Sequence, residues 1–175
     1  MPHAPGLRPT PDRVRETLFN WLQGVTEGAR ALDLFAGSGA LGFEAASRGA
    51  RSVVMVEADA RIATHLREQA ATLDASRLRV EARSVRAFLA GAPQPVDLVF
   101  LDPPYGQGLV AETLALLARG WLAPGAHLYI EAEAELGEPV LPDGWTLLKT
   151  RRAGQVGYHL ARAPDASGVS PDSGD

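Results

Sequence analysis

The 175-residue chain has no cysteine, which excludes disulfides, thiol nucleophiles and thiolate metal sites. Its four histidines, His3, His65, His127 and His159, are widely spaced and form no ligand pattern, so no metal is expected. No apolar run approaches the roughly 20 residues of a membrane span. The opening Met1-Pro-His-Ala-Pro-Gly6 lacks the basic and apolar parts of a signal peptide. A cytoplasmic protein with no membrane contact is the expectation. Lysine is almost missing too, Lys149 being the single one among 17 basic residues. Nor is there an excess of positive charge, because the net charge is −4. Residues 163–175 carry three aspartates and no basic residue, so the body alone is close to neutral. Charge therefore neither selects nor excludes a nucleic-acid partner. Arginine nevertheless suits phosphate contacts and base stacking better than lysine.

What is present is the composition of an ordinary globule, 46% apolar and 22% charged. The length fits one domain, and a monomer is expected. Residues 1–10 read as an extended lead-in, 11–162 as a single domain, and 163–175 as a disordered acidic tail. Thr10 suits an N-cap and Pro11 a first helical position, with Val14, Leu18 and Leu22 at helical spacing behind them. Five apolar runs follow at βα spacing: Ala31–Phe35, Ser52–Val56, Leu78–Val80, Val96–Leu101 and His127–Ile130. Helix-compatible stretches lie between them, near 38–48, 59–73, 84–90 and 109–119. Two further runs, Trp145–Leu148 and Val156–Leu160, are joined by Arg151-Arg152-Ala153-Gly154 with no helix between. The expected fold is α/β and Rossmann-like: a seven-stranded, mostly parallel sheet with an antiparallel edge hairpin and helices on both faces.

Two motifs sit where such a sheet binds ligands. Gly37-Ser38-Gly39-Ala40-Leu41-Gly42 follows the first strand and opens a helix, and Glu57 closes the second strand 20 residues later. Glycine lets backbone approach a ligand, and an acid at that strand end suits a ribose diol. Nicotinamide and S-adenosylmethionine sites share this geometry. Asp33 favours the second, because a carboxylate near the loop repels a pyrophosphate but suits ammonium and sulfonium charges. The second motif is Asp102-Pro103-Pro104-Tyr105, directly after Val96–Leu101. The Asp102 carboxylate and the Pro103 carbonyl can accept from the amine of a planar base, and Tyr105 can stack on its ring. Pro103 and Pro104 hold φ near −65° and keep the carbonyls aimed. A Pro-Pro turn closing a strand is the plainer alternative.

Together with Arg8-Pro-Thr-Pro-Asp-Arg-Val-Arg-Glu-Thr-Leu-Phe-Asn-Trp-Leu22 and Ala153-Gly-Gln-Val-Gly-Tyr158, these motifs resemble the bacterial 16S ribosomal RNA guanine-N2 methyltransferases. The resemblance runs from about Gly6 to Arg162. It implies methyl transfer from S-adenosylmethionine to one guanine amine of 16S rRNA in the assembled or assembling small ribosomal subunit. It also implies roles. Thr10, Asp33, Ala36, Gly37, Ser38 and Gly39 would line the methionine end, while Glu57 and Ala58 would hold the ribose. Ser84, or the Val85 amide, would meet the adenine. Asp102, Pro103, Pro104 and Tyr105 would hold the guanine, with Asp102 beside the cofactor as well. Arg8, Arg13 and Arg15 would contact phosphates. The family's basic, glycine-rich hairpin ahead of the Leu-Arg-Pro-Thr segment is not in this sequence, so weaker RNA binding with a flatter salt dependence is expected. Three other readings remain: an adenine-N6 methyltransferase, a nicotinamide-dependent oxidoreductase and a non-catalytic RNA-binding module. Glu131, Glu133, Glu135 and Glu138 read as a solvated acidic loop, with a ribosomal-protein contact as the alternative.

Overall fold

A computed structural model describes residues 11–165. Arg8, Thr10, the rest of the lead-in and the acidic stretch beyond Asp165 lie outside the described residues. The chain runs α1 (Asp12–Trp21), β1 (Arg30–Leu34), α2 (Ala40–Ser47), β2 (Ser52–Val56), α3 (Ala60–Asp74), β3 (Leu78–Glu81) and α4 (Val85–Leu89). It continues through β4 (Val96–Leu101), α5 (Leu109–Leu117), β5 (Leu122–Glu133), β6 (Thr146–Ala153) and β7 (Val156–Arg162). One sheet has the strand order β3-β2-β1-β4-β5-β7-β6, in which β1 to β5 pair in parallel and β7 is antiparallel to both neighbours. The expected α/β architecture is therefore the observed one.

The central strands are apolar without alternation because both faces are covered. On one face Leu98, Phe100, Met55, Tyr129 and Tyr158 pack against α1, α2 and α3. On the other, Leu34, Leu101, Val99 and Ile130 pack against α4 and α5. Side chains such as Leu18 and Leu34 are completely buried, each contributing about 1.5–3 kcal/mol. Helix α1 lays Val14, Leu18 and Phe19 on the sheet, and Trp21 stacks on Tyr158 with ring centroids 5.5 Å apart.

The helix caps differ in origin. Asp59 caps α3 by accepting from the Arg61 and Ile62 amides at 2.9 and 3.0 Å, and Ser84 caps α4 through Ala87 at 3.0 Å. Helix α1 begins one residue later than the sequence suggested. Pro11 has an extended ψ of 146° and occupies the capping position itself, its carbonyl accepting from the Arg15 amide at 3.0 Å.

Two strand boundaries move outward for tertiary reasons. Strand β5 starts at Leu122 because a register shift lets Val96 pair with it before the main ladder at Leu98↔His127. Strand β6 runs on through Arg151 and Arg152 because β7 pairs with them, leaving Gly154-Gln155 as a two-residue turn. Gly154, at φ 60°, supplies the positive φ that such a hairpin needs at its first turn position. Past β7, Ala163 and Pro164 stay hydrogen-bonded to Ala126 and Gly125 at 2.8 and 2.9 Å.

Candidate active site

The strand order reverses direction between β1 and β4, the point at which loops leaving the carboxyl ends of such a sheet part to bind ligands. The glycine loop follows β1 and the Asp-Pro-Pro-Tyr segment follows β4, so the fold brings the two sequence motifs to one switch point. The loop opens on Phe35, whose φ of 60° makes it the single positive-φ non-glycine among the described residues. Such strain costs about 1–3 kcal/mol and collects at functional sites. Ala36 donates to the Val56 carbonyl at 3.0 Å, and Gly39 donates to Ala36 at 2.9 Å. Ala36 and Ser38 are half-buried, whereas Gly37 and Gly39 are buried. Gly42 allows close packing of α2 on the sheet, since a Cβ there would lie 3.0 Å from the Met55 side chain.

Glu57 is held at the end of β2 by two amides. Its Oε1 accepts from Gly37 at 2.8 Å and its Oε2 from Asp59 at 2.9 Å. The carboxylate thus clamps the glycine loop to the second strand, and each oxygen keeps a lone pair for a ribose hydroxyl. Ala58 is exposed beside it.

Asp33 sits below the loop with 2% of its surface exposed. Its Oδ2 accepts from the Gly42 amide at 2.9 Å. Gly39, the residue preceding α2, has no side chain with which to cap the helix, so Asp33 satisfies one of its first amides from the strand beneath. Burial pushes the Asp33 carboxyl up to about 8; the Gly42 amide lowers it, and the Glu57 charge raises it. Burial therefore favours the neutral form of the Asp33 carboxyl. The folded pKa lies above the usual 3.8, so this contribution to stability is complete below pH 4 and lost as pH rises through about 8. Asp33→Asn keeps the acceptor and removes the titration. Its Tm minus that of the unmodified protein should become more positive as pH rises from about 4 to about 8. A difference that stays flat over that range would mean that the buried carboxyl does not titrate there.

At the end of β4, Asp102 is half-buried, Pro103 is buried, and Pro104 and Tyr105 are half-buried. Gly106 closes the segment by donating to Glu133 Oε2 at 2.8 Å. Beneath it the Tyr129 hydroxyl donates to Glu131 Oε1 at 2.6 Å, with the two residues 0% and 2% exposed. The Tyr129 phenol is held well above its ordinary range, chiefly by burial, then by the charge and hydrogen bond of Glu131 and the charge of Asp102.

This corrects the reading of Glu131 and Glu133 as members of a solvated loop. Both belong to β5, Glu131 buried beneath the Asp-Pro-Pro-Tyr segment and Glu133 tying it down. Sequence reasoning missed the tyrosine–glutamate pair, whose one signal was the alternation Tyr129, Glu131, Glu133 on a single face of the strand. Glu135 and Glu138 remain exposed.

Other expected site residues take structural work as well. The Ser84 hydroxyl is spent as an acceptor in the α4 cap, which leaves its proton for a ligand, and the Val85 side chain is buried. Arg15 pairs with Asp12 at 3.0 Å on its own helix, whereas Arg13 is exposed. Among the described residues no cluster of His, Asp and Glu could hold a metal ion.

The comparisons with known proteins agree with this fold. The family model described as conserved hypothetical protein 95 matches residues 1–162. The chain is 49% identical over 161 residues to the ribosomal RNA small subunit methyltransferase D of Escherichia coli (strain K12), covering 91% of this chain and 81% of that one. A solved structure of a candidate methyltransferase from Escherichia coli, yhhF, superimposes with a TM-score of 0.86 at 45% identity, covering 90% of this chain and 89% of that chain. An RNA methyltransferase of Salinibacter ruber, solved with S-adenosyl-L-homocysteine, shares the fold alone. Its TM-score is 0.68 at 19% identity, with 94% of this chain and 99% of that chain covered. By its sequence over nearly the whole folded domain, this chain belongs to the conserved hypothetical protein 95 family, that of the ribosomal RNA small subunit methyltransferases D.

Proposed function

We propose that this protein is an S-adenosylmethionine-dependent methyltransferase whose target is the N2 amine of a guanine in 16S rRNA of the small ribosomal subunit. The observation that carries the reading is the meeting of the glycine loop and Asp102-Pro103-Pro104-Tyr105 at one switch point of the sheet. It is supported by the name of the Escherichia coli relative. The donor set suits the cofactor. Glu57 offers lone pairs to a ribose, and Asp33, buried below the loop, braces the start of α2 by accepting from the Gly42 amide. Ala36, Gly37, Ser38 and Gly39 would line that end, and Thr10 would join them from outside the described residues.

When bound, S-adenosylmethionine supplies an electrophilic sulfonium methyl. The work of this chain is to orient the amine, exclude water and accept charge. The Asp102 carboxylate and the Pro103 carbonyl accept the two N–H bonds of the guanine amine, turning its nitrogen toward the methyl. Tyr105 stacks on the base. Asp102 would stabilise the positive charge that develops on the amine nitrogen and take its departing proton. The target guanine must leave its stack to enter, at a cost of about a few kcal/mol. Arg8, Arg13 and Arg15 would steady the flanking phosphates. The protein would act as a monomer on assembled or assembling subunits.

The test is transfer of labelled methyl to small subunits lacking the modification, to naked 16S rRNA and to duplex DNA in parallel. Label confined to subunits and mapping to a guanine N2 is the expected result. Label on an adenine would replace the substrate with the adenine-N6 alternative. A melting shift with S-adenosylmethionine but no transfer to any of the three would leave only the fold.

A further inference from the structure

We propose that the free edge of the sheet, strand β6 with Lys149, Arg151 and Arg152, is an RNA-docking surface that grips the phosphate backbone beside the target nucleotide. The proposal rests on the rRNA reading above and extends it to a surface of its own. Among the described residues eight arginines lie in ion pairs with carboxylates: Arg15, Arg30, Arg48, Arg77, Arg79, Arg83, Arg86 and Arg162. These are self-neutralised. The cations of β6 are not: Lys149, Arg151 and Arg152 have no carboxylate within 4.0 Å among the described residues, and all three are exposed. Arg152 is steadied only by donating to the Gly154 carbonyl at 2.9 Å. In a chain of net charge −4, three cations without a carboxylate partner among the described residues thus stand together on one short strand.

Their position ties them to the site. Strand β7 is antiparallel to both neighbours, so β6 runs in the same direction as β4 and β5. Its carboxyl end therefore lies at the ligand-binding end of the sheet. Glu131, Tyr158 and Arg151 form one row across β5, β7 and β6. Asp102 follows Leu101, the partner of Ile130, and so stands at the start of that row. Three strand spacings separate Asp102 from Arg151, about 14 Å, which is the span of a few nucleotides.

Cross-strand partners point to the same face, so Lys149 and Arg151 lie on the face that carries α1 while Arg152 lies on the other. An edge with cations on both sides presents them to a polyanion running past it. Arginine and lysine also guard sheet edges against pairing with other chains, and the experiment separates that role from docking.

The measurement is methyl transfer to small subunits by the full chain and by K149Q/R151Q/R152Q at 50 and 200 mM salt. Direct binding of labelled subunits is measured alongside. The control R51Q/R119Q removes two exposed arginines at the opposite end of the sheet. Three lost phosphate contacts should flatten the log–log salt slope of binding by about 2–3 and raise KM about a hundredfold near 0.1 M salt. The kcat at saturating subunits, and the melting shift with S-adenosylmethionine, should stay as in the unmodified protein, and the control should behave like it. KM and slope within twofold of the unmodified protein would overturn the proposal, as would an equal effect in the control. Increased aggregation with KM unchanged would assign the charges to edge protection instead. If the unmodified protein binds subunits but transfers no methyl, the binding slopes alone still decide for or against docking, and only the catalytic reading fails.

Discussion

Asp102→Ala should lower the rate of methyl transfer at saturating substrate by about 10²–10³-fold, the usual effect of removing one preorganised group from a developing charge. The cause is local. Pro103 and Pro104 constrain the backbone, Glu133 anchors Gly106 at 2.8 Å, and Asp102 is half-buried, so truncation leaves its frame in place. Subunit binding and Tm should therefore change little, with the loss concentrated in kcat. Asp102→Asn provides the sharper contrast. It is nearly isosteric, but one carboxylate oxygen becomes an amide NH2 donor that faces the substrate N–H. It should lose about as much activity as alanine. Single-turnover transfer with each variant checks this, and an asparagine variant within threefold of the unmodified rate would show that Asp102 does not accept from the amine.

Gly39→Ala should lower the Tm by about 10 °C and abolish the melting shift with S-adenosylmethionine. Gly39 has φ 80°, and a Cβ there would overlap Phe43 Cε2 and lie 2.7 Å from Leu66 Cδ2. The left-handed backbone costs an alanine about 1–2 kcal/mol, and forcing apart a packed ring and leucine costs about 1–3 kcal/mol more. At about 2–4 °C per kcal/mol for a chain of this size, the sum reaches that shift. Gly24→Ala isolates the backbone part, since Gly24 has φ 82° and nothing within 4 Å of its added Cβ. Calorimetry on both should find Gly39→Ala clearly the less stable. Equal values would mean that Phe43 and Leu66 move aside without cost.

Much of this protein was legible along the chain. The βα alternation, the strands Ser52–Val56 and Val96–Leu101, and the hairpin after β5 follow from apolar runs, spacing and turn residues, which act through local backbone preferences. The glycine loop and Asp102-Pro103-Pro104-Tyr105 could be located for the same reason, since each encodes its own φ angles. Boundaries were less legible where a partner extended a strand, as β7 does for Arg151 and Arg152. The roles of charged residues were least legible. Glu131 and Glu135 are four positions apart and the same residue type, yet one is 2% exposed beneath Tyr129 and Asp102 and the other is in solvent.

The amino-acid sequence by itself determined the elements, their order, the two motifs and the family. Each of these depends on which residues are neighbours in the chain. Only the tertiary structure decided that Asp33 supports Gly42 and has its carboxyl pushed up by burial, and that Glu57 clamps Gly37. It alone decided that Arg15 is paired and that Arg151 has no carboxylate partner among the described residues. The state of a charge depends on desolvation and on partners within a few ångströms, and strand pairing brings those partners from positions distant in the sequence.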